Sequence, residues 1–142
     1  MLIVTTSHIK NNLDKIFFSH NLKVCQAMIL RFVGHHKAVN QNAIARSLHL
    51  KKSTISEHID NLVELGYIYK ETSTNDKREK IIKISEEGEK INKIIETEFD
   101  EYNLKIKDKL GKDKYDFLVK TLESFIASEK TNMSNCLGKE EK

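Results

Sequence analysis

The segment "YIYKETSTNDKREKIIKISEEG", residues 67–88, joins two short apolar runs through a charged loop. The runs at 67–72 and 80–84 are rich in β-branched and aromatic side chains, which favour β-strands. The loop at 73–79 contains Ser, Thr, Asn and Asp together with charged residues, and such residues favour turns. The segment therefore predicts an antiparallel β-hairpin with a charged loop at its tip.

A long helix is predicted directly after the hairpin. Ser85 can cap its first turn, and Glu86 and Glu87 lie where the helix dipole favours negative charge. Apolar residues then recur at helical spacing to about Leu110, where the letters "LGKDK" predict a break before a last helix. The apolar residues of these two predicted helices are Ile91, Ile94, Ile95, Phe99, Tyr102 and Ile106, followed by Leu118, Leu122, Phe125 and Ile126.

Two short helices are predicted before the hairpin, at 41–50 and 51–66. In the second helix, apolar residues recur at i, i+4 and i+7 from Ile55, which predicts one inward face. Gly66 is placed to end this helix in a left-handed conformation. Because a few residues connect the two helices, the pair predicts a helix-turn-helix.

Two further helices are predicted near the N-terminus. Apolar residues at i, i+4, i+7 and i+8 from Ile9 indicate a first helix over about residues 5–18. A more apolar second helix is predicted from residue 22, and Gly34 is predicted to end it. The polar stretch "HHKAVNQN" at 35–42 follows, and a loop is predicted for His35 and His36 within it. Its adjacent histidines lack i+4 partners, so no metal site is predicted there.

The composition indicates one soluble globular domain. The chain has 142 residues, of which 39% are hydrophobic and 32% charged. No apolar stretch reaches the ~18 residues that span a bilayer and no signal peptide is evident, so we expect a cytoplasmic protein without membrane contact. No Gly-rich phosphate loop, nucleophile elbow or carboxylate cluster is present, so neither an enzyme nor a cofactor is predicted. Cys25 and Cys136 lie far apart, which indicates neither a disulfide framework nor a zinc ribbon.

Positive charge is concentrated in the hairpin. The net charge of the chain is +3, and residues 67–84 hold five basic against three acidic residues, a surplus of two. Arginine occurs only at positions 31, 46 and 78, in a chain that otherwise uses lysine. A guanidinium at a slim hairpin tip suits the negative potential of a narrow minor groove, so we expect Arg78 to enter it with Asp76 as the acceptor that orients it. A solvated charged turn with a local ion pair is the alternative interpretation.

The N-terminal half of the 51–66 helix is predicted to read DNA. Its lysines and hydroxyls lie where free backbone amides favour phosphate, and recognition helices contact bases from this end. Ser53 and Glu57 fall near the middle of the outward face, where Glu57 either accepts from a cytosine amino group or points to water. Asp60 and Glu64 would repel phosphate, so only the first two turns should dock. The candidate residues are Lys51, Lys52, Ser53, Thr54, Ser56, Glu57 and His58 in this helix, with Asn75, Asp76, Lys77, Arg78 and Lys80 in the hairpin.

The order of elements and two motifs resemble the MarR (multiple antibiotic resistance regulator) family of dimeric transcription factors. Asp76-Lys77-Arg78 and Ile84-Ser85-Glu86-Glu87-Gly88 are similar to the family's Asp-x-Arg and aliphatic-Ser/Thr-x-x-Gly, and "LKKSTISEHIDNLVELGYI" at 50–68 is similar to its recognition helix. The resemblance implies a mainly α-helical winged helix-turn-helix over about 37–84, flanked by dimerisation helices at about 5–18 and 85–128. One domain at 1–128 and a flexible tail at 129–142 are expected.

The same resemblance implies a homodimeric repressor of a pseudo-palindromic double-stranded DNA site. A small-molecule effector would release the DNA from a pocket where the terminal helices meet the DNA-binding lobe. One alternative is a redox-sensing regulator that switches through Cys25, since some family members sense oxidants through a cysteine near the N-terminus. Cys25 lies on an apolar stripe, however, where a cysteine usually behaves as a small hydrophobe. A second alternative is a winged-helix protein-interaction module that does not bind DNA.

Overall fold

The computed structural model describes the backbone of residues 1–137 and the side chains of residues 1–129. In this part of the chain the elements are α1 (Leu2–Phe18), α2 (Val24–His36), β1 (Ala38–Asn40), α3 (Gln41–Leu48), α4 (Lys52–Glu64), β2 (Ile68–Thr72), β3 (Lys80–Ile84), α5 (Glu86–Leu110) and α6 (Lys112–Leu137). The chain divides into two compact units, Met1–Phe99 and a second unit that begins at Asp100. The fold is mainly α-helical and contains a winged helix-turn-helix, as the sequence predicts.

The predicted hairpin is confirmed as β2 and β3, which pair antiparallel with Ile68 opposite Ile84 and Thr72 opposite Lys80. Ile68 and Ile82 are buried, whereas the β2 residues after Ile68 are exposed. The base of the hairpin is therefore anchored in the core and its outer part projects into solvent. We call β2, β3 and the loop between them the wing.

The predicted loop at His35 and His36 is wrong, and the polar stretch that follows contains a strand that was not predicted. Helix α2 continues through His36, and Ala38–Asn40 forms a third strand, β1, which pairs antiparallel with β3 in the sheet order β1-β3-β2. Val39 lies opposite Ile82 in this register, and both side chains are buried. A strand of three residues has too few positions to show a period, so its partner strand defines it.

Gly34 does not end α2, contrary to the prediction. It lies buried inside the helix, and a Cβ atom there would approach Nδ2 of Asn92 to 2.6 Å. The glycine therefore permits close packing against α5. The helix ends instead at Lys37, which has a φ of +66°.

The core of the first unit confirms the predicted inward face of the helix-turn-helix. Ile44 of α3 and Ile55, Ile59 and Leu62 of α4 are fully buried. Gly66 follows α4 with a φ of +76°, the left-handed conformation that was predicted. Burial of these side chains holds the apolar face of α4 inward and leaves its polar face outward.

Ser85 caps α5 as predicted. Its Oγ accepts a hydrogen bond from the backbone N–H of Gly88 at 3.0 Å and donates one to the carbonyl of Gly66 at 2.6 Å. The same hydroxyl therefore starts α5 and joins it to the end of α4. Helix α5 ends at Leu110 and is followed by Gly111 with a φ of +82°, which confirms the predicted break.

The limits of the last helix differ from the prediction. Helix α6 begins at Lys112 and extends to Leu137, beyond residue 128. The division into a domain at 1–128 and a flexible tail at 129–142 stays a prediction. The side chain of Cys136 lies outside the described residues.

Candidate nucleic-acid interface

The N-terminal turn of α4 is open to an anion. Lys51, Lys52 and Ser53 are exposed, while Thr54 and Ser56 are half-buried. The N-cap residue Lys51 is extended and makes no side-chain capping hydrogen bond within the described chain. The first backbone N–H groups of a helix have no intrahelical acceptor, so this end can bind a phosphate.

The outward face of α4 lies where helical geometry places it. Ser53 and Glu57 are exposed, and Ile55 and Ile59 on the opposite face are fully buried. The exposed carboxylate of Glu57 is accessible to solvent or to a base edge, so both interpretations of this residue stay open. The contacts of all seven candidate residues with DNA stay predictions.

The second half of α4 is connected to the wing by an ion pair. Nζ of Lys70 on β2 donates to Oδ1 of Asp60 at 2.6 Å. Asp60 is therefore partly neutralised, which weakens the phosphate repulsion expected from sequence, while Glu64 is exposed. Because the Asp60 side chain is largely exposed, such a pair contributes at most about 1 kcal/mol to the free energy of unfolding.

The wing loop is held by short-range hydrogen bonds. The backbone N–H of Ser73 donates to the carbonyl of Glu79 at 2.9 Å, and the N–H of Glu79 donates to the carbonyl of Asp76 at 3.0 Å. Oδ1 of Asp76 accepts from the backbone N–H of Arg78 at 2.9 Å. Asp76 therefore shapes the turn through the backbone of Arg78, and the expected hydrogen bond to the guanidinium does not form in the described structure.

The basic residues of the wing fall into two groups. On the strands, Lys83 pairs with Glu71 at 2.7 Å, and Nζ of Lys80 donates to Oγ1 of Thr72 at 2.9 Å. The hydrogen bond to Glu71 raises the pKa of Lys83. At the tip, Lys77 and Arg78 are exposed and make no ion pair within the described chain. The tip is therefore where the wing offers unpaired positive charge.

Two residues that connect the wing loop to β1 were missed in the sequence. Nδ2 of Asn40 donates to Oε1 of Glu79 at 2.6 Å. Oδ1 of Asn40 caps α3 by accepting from the N–H of Ala43 at 2.8 Å. Asparagine before a helix is a known capping signal, but nothing in the nearby sequence indicates that its amide also binds Glu79.

His58 is partly turned away from the exposed face of α4. Its ring is half-buried, and Nδ1 is buried without a hydrogen-bond partner in the described structure. Burial lowers the pKa of His58, with Glu57 raising it and Lys23 and Lys10 lowering it. A neutral imidazole is therefore favoured in the folded chain.

We expect His58 to make stability depend on pH. Because its folded pKa lies below the ordinary value of about 6.5, the unfolded chain binds the proton more readily, so stability is lost as pH falls below about 6.5. Urea unfolding of His58→Gln should show a shallower decline between about pH 7 and about pH 5.5 than the wild type. His8→Gln, which changes an exposed histidine, should retain the wild-type decline. Equal declines in all three proteins would contradict the prediction.

A cleft beside α2 has a volume of about 390 Å³. Its walls combine apolar side chains, aromatic and imidazole rings, one guanidinium and one carboxylate: Met28, Arg31, Phe32, His35, His36, Leu48 and Glu96. The rings of Phe32 and His36 stack at 4.1 Å, and Cζ of Arg31 lies 5.4 Å from the ring centre of Phe99. These groups could hold a small molecule that carries both an apolar part and a negative charge.

Metal binding and the redox alternative concern different residues. Among them, no group of three or more His, Cys, Asp or Glu side chains is arranged to hold a metal ion. Cys25 is a free, half-buried thiol that packs against the core, and its redox role stays a prediction. None of the helices in the described part of the chain has the length and apolar character needed to cross a bilayer.

Comparisons with known proteins agree with the geometry. Residues 20–79 match the family model described as MarR family. MepR of S. aureus, solved as a DNA complex, is 23% identical with a TM-score of 0.81, covering 89% of this chain and 94% of that chain. A MarR protein from Peptoclostridium difficile is 17% identical with a TM-score of 0.85, covering 92% and 86%.

NadR, solved in complex with 4-hydroxyphenylacetate, is 24% identical with a TM-score of 0.72 and 89% coverage of both chains. No curated protein matches the sequence. Residues 20–79 are therefore similar to the MarR family, and the chain shares the winged helix-turn-helix fold of these solved structures.

Proposed function

We propose that this protein is a DNA-binding transcriptional regulator that acts as a homodimeric repressor at a pseudo-palindromic site. The observation that carries the proposal is the exposed wing tip, where Lys77 and Arg78 are unpaired, in the same compact unit as the open N-terminus of α4. MarR-family relatives are regulators rather than enzymes, and MepR was solved with DNA. A role on DNA also agrees with the expected cytoplasmic location.

In this proposal the two parts of the interface contact different grooves. The first two turns of α4 enter the major groove, with Lys51 and Lys52 near phosphates and Ser53 at base edges. The wing tip reaches the adjacent minor groove, where the guanidinium of Arg78 meets a strong negative potential. A second copy repeats both contacts about 34 Å away, one helical turn along the DNA.

Exposed apolar side chains support the homodimer. In α1, Ile3 is 81% and Phe18 78% exposed, and in α6, Phe117 is 73% exposed. Leu118, Leu122, Phe125 and Ile126 of α6 are exposed as well. Monomeric proteins rarely leave so many large apolar side chains in water, and a second copy of the chain can cover them in a symmetric interface.

A small-molecule effector is the proposed signal. NadR was solved with 4-hydroxyphenylacetate, and the cleft beside α2 offers Arg31 for a carboxylate and Phe32 for a ring. A ligand that binds better to a dimer with unsuitable spacing of its two recognition helices would lower DNA affinity by shifting the population of conformers.

The proposal is tested by measuring affinity for duplex DNA against salt concentration. Fluorescence anisotropy with inverted-repeat sequences from upstream of neighbouring genes should give an affinity that falls steeply with salt, and two chains should bind each duplex. Lys52→Ala should reduce the slope of log K against log salt by about 0.9 for each phosphate that is no longer neutralised, hence about 2 per dimer. Lys109→Ala, an exposed lysine near the end of α5, is the control and should leave the slope unchanged. Absence of salt-dependent binding would favour the protein-interaction module.

A further inference from the structure

Besides the ion pair between Lys70 and Asp60, a side-chain hydrogen bond across a groove connects the wing loop to β1. The groove lies between β1 and the wing loop and has a volume of about 610 Å³. Asn40 and Glu79 both line it, and their side chains meet at 2.6 Å between Nδ2 and Oε1. Because the groove leaves the loop without close packing on β1, a polar contact has to hold the loop there.

Glu79 can fix the position of Arg78 through the backbone of the wing loop. It follows Arg78 directly in the chain, and its backbone closes the loop through both Ser73 and Asp76. A side-chain anchor at this residue therefore acts on the whole hydrogen-bonded turn. The accepting group is a carboxylate and the bond is partly buried, two conditions that strengthen a hydrogen bond.

Asn40 is connected to the helix-turn-helix through the start of α3. It pairs with Ile81 in the sheet, and its Oδ1 caps α3 through the N–H of Ala43. Helix α3 packs against α4, with Ile44 and Ala45 buried between them and the rest of the core. One amide group therefore contacts both the start of α3 and the base of the wing loop.

We propose that Asn40 and Glu79 form a clamp that positions Arg78 relative to the recognition helix. This inference rests on the proposed DNA binding. Without the clamp, the hairpin tip samples directions in which Arg78 and α4 cannot contact DNA together, and the apparent affinity falls in proportion to the fraction of competent conformers. The clamp residues are positioning residues and need not contact DNA themselves.

The substitution Asn40→Asp removes the hydrogen bond to Glu79 but keeps the cap of α3. Aspartate caps helices as well as asparagine does, so the start of α3 is retained. Its carboxylate cannot donate to Glu79 and repels it instead. Adding Glu79→Gln to this variant restores a donor and an acceptor, because the new amide can donate to the new carboxylate.

We expect Asn40→Asp to weaken affinity for duplex DNA about tenfold, as loss of one charge-assisted hydrogen bond permits. The double variant Asn40→Asp/Glu79→Gln should return to within about twofold of the wild type. In an Arg78→Ala background, Asn40→Asp should cause no further loss. The clamp would be overturned by any of three results. These are wild-type DNA affinity in Asn40→Asp, no recovery of affinity in the double variant, or an equal loss of affinity from Asn40→Asp in the Arg78→Ala background.

Amide hydrogen exchange without DNA separates failure of the clamp from failure of the proposed function. The N–H groups of Ser73 and Glu79 should exchange faster in Asn40→Asp than in the wild type, and the double variant should restore protection. Unchanged exchange would overturn the clamp. Faster exchange in a protein that never binds DNA would retain the clamp and reject the function.

Discussion

Arg78→Ala is expected to weaken binding of the homodimer to duplex DNA by about 1.5 to 4 orders of magnitude. Removing one specific arginine contact costs about 1–3 kcal/mol of binding free energy, and a homodimer carries this arginine at both wings. The side chain is exposed at the wing tip and no ion pair in the described structure competes for it. Its guanidinium is therefore available to DNA without first breaking an internal ion pair.

Two comparisons make the Arg78 experiment specific. Arg78→Lys keeps the charge but loses the planar set of five donors, so its affinity should lie between those of wild type and Arg78→Ala. Arg31→Ala removes an arginine from the cleft beside α2 and should leave affinity unchanged in the absence of effector. The loss in Arg78→Ala should be greatest when the DNA beneath the wing is A/T-rich, because its minor groove is narrow. Equal losses in Arg78→Ala and Arg31→Ala would contradict a specific role for the wing tip.

Gly88→Ala is expected to cost at least about 3 kcal/mol of the free energy of unfolding. A Cβ atom at this position would lie 1.9 Å from the carbonyl oxygen of Tyr67 and 2.9 Å from Cγ1 of Ile84. The Tyr67 carbonyl cannot move away freely, because it accepts a hydrogen bond from the backbone N–H of Ser85 at 3.0 Å. The start of α5 and the base of β2 would have to separate.

Whether Gly88→Ala raises or lowers the free energy of unfolding identifies the cause of the change. Glycine inside a helix usually costs about 0.5–1 kcal/mol relative to alanine, so Gly88→Ala would stabilise the protein if only helix propensity mattered. Gly66→Ala is the matched control: nothing lies within 4 Å of its Cβ position, and its φ of +76° alone should cost about 1–2 kcal/mol. Urea unfolding of both variants measures the difference. A cost in Gly88→Ala no larger than in Gly66→Ala would contradict the proposed backbone collision.

Local patterns account for the parts of this protein that could be predicted. The alternating apolar runs around a polar loop predicted the hairpin, and the spacing from Ile55 predicted the buried face of α4. Ser85 and Gly66 were recognised because capping and left-handed residues act within one helical turn. The same helical spacing placed Ser53 and Glu57 on the exposed face. Each of these features depends on residues a few positions apart.

The structure was needed wherever the partner is distant in the chain. Strand β1 exists because β3 pairs with it, and Gly34 is buried because Asn92 of α5 approaches it. Asn40 and Glu79 lie 39 positions apart, so no periodicity connects them.

Apart from β1 and the end of α2, the sequence by itself determined which segments become helix or strand and which of their faces are apolar, because steric and hydrophobic preferences act locally. Tertiary packing decided which polar groups meet. Asn40 donates to Glu79 across the groove, and Lys70 pairs with Asp60. Hydrogen bonds and ion pairs require a donor and an acceptor about 3 Å apart, and such a distance is set only when the elements are assembled.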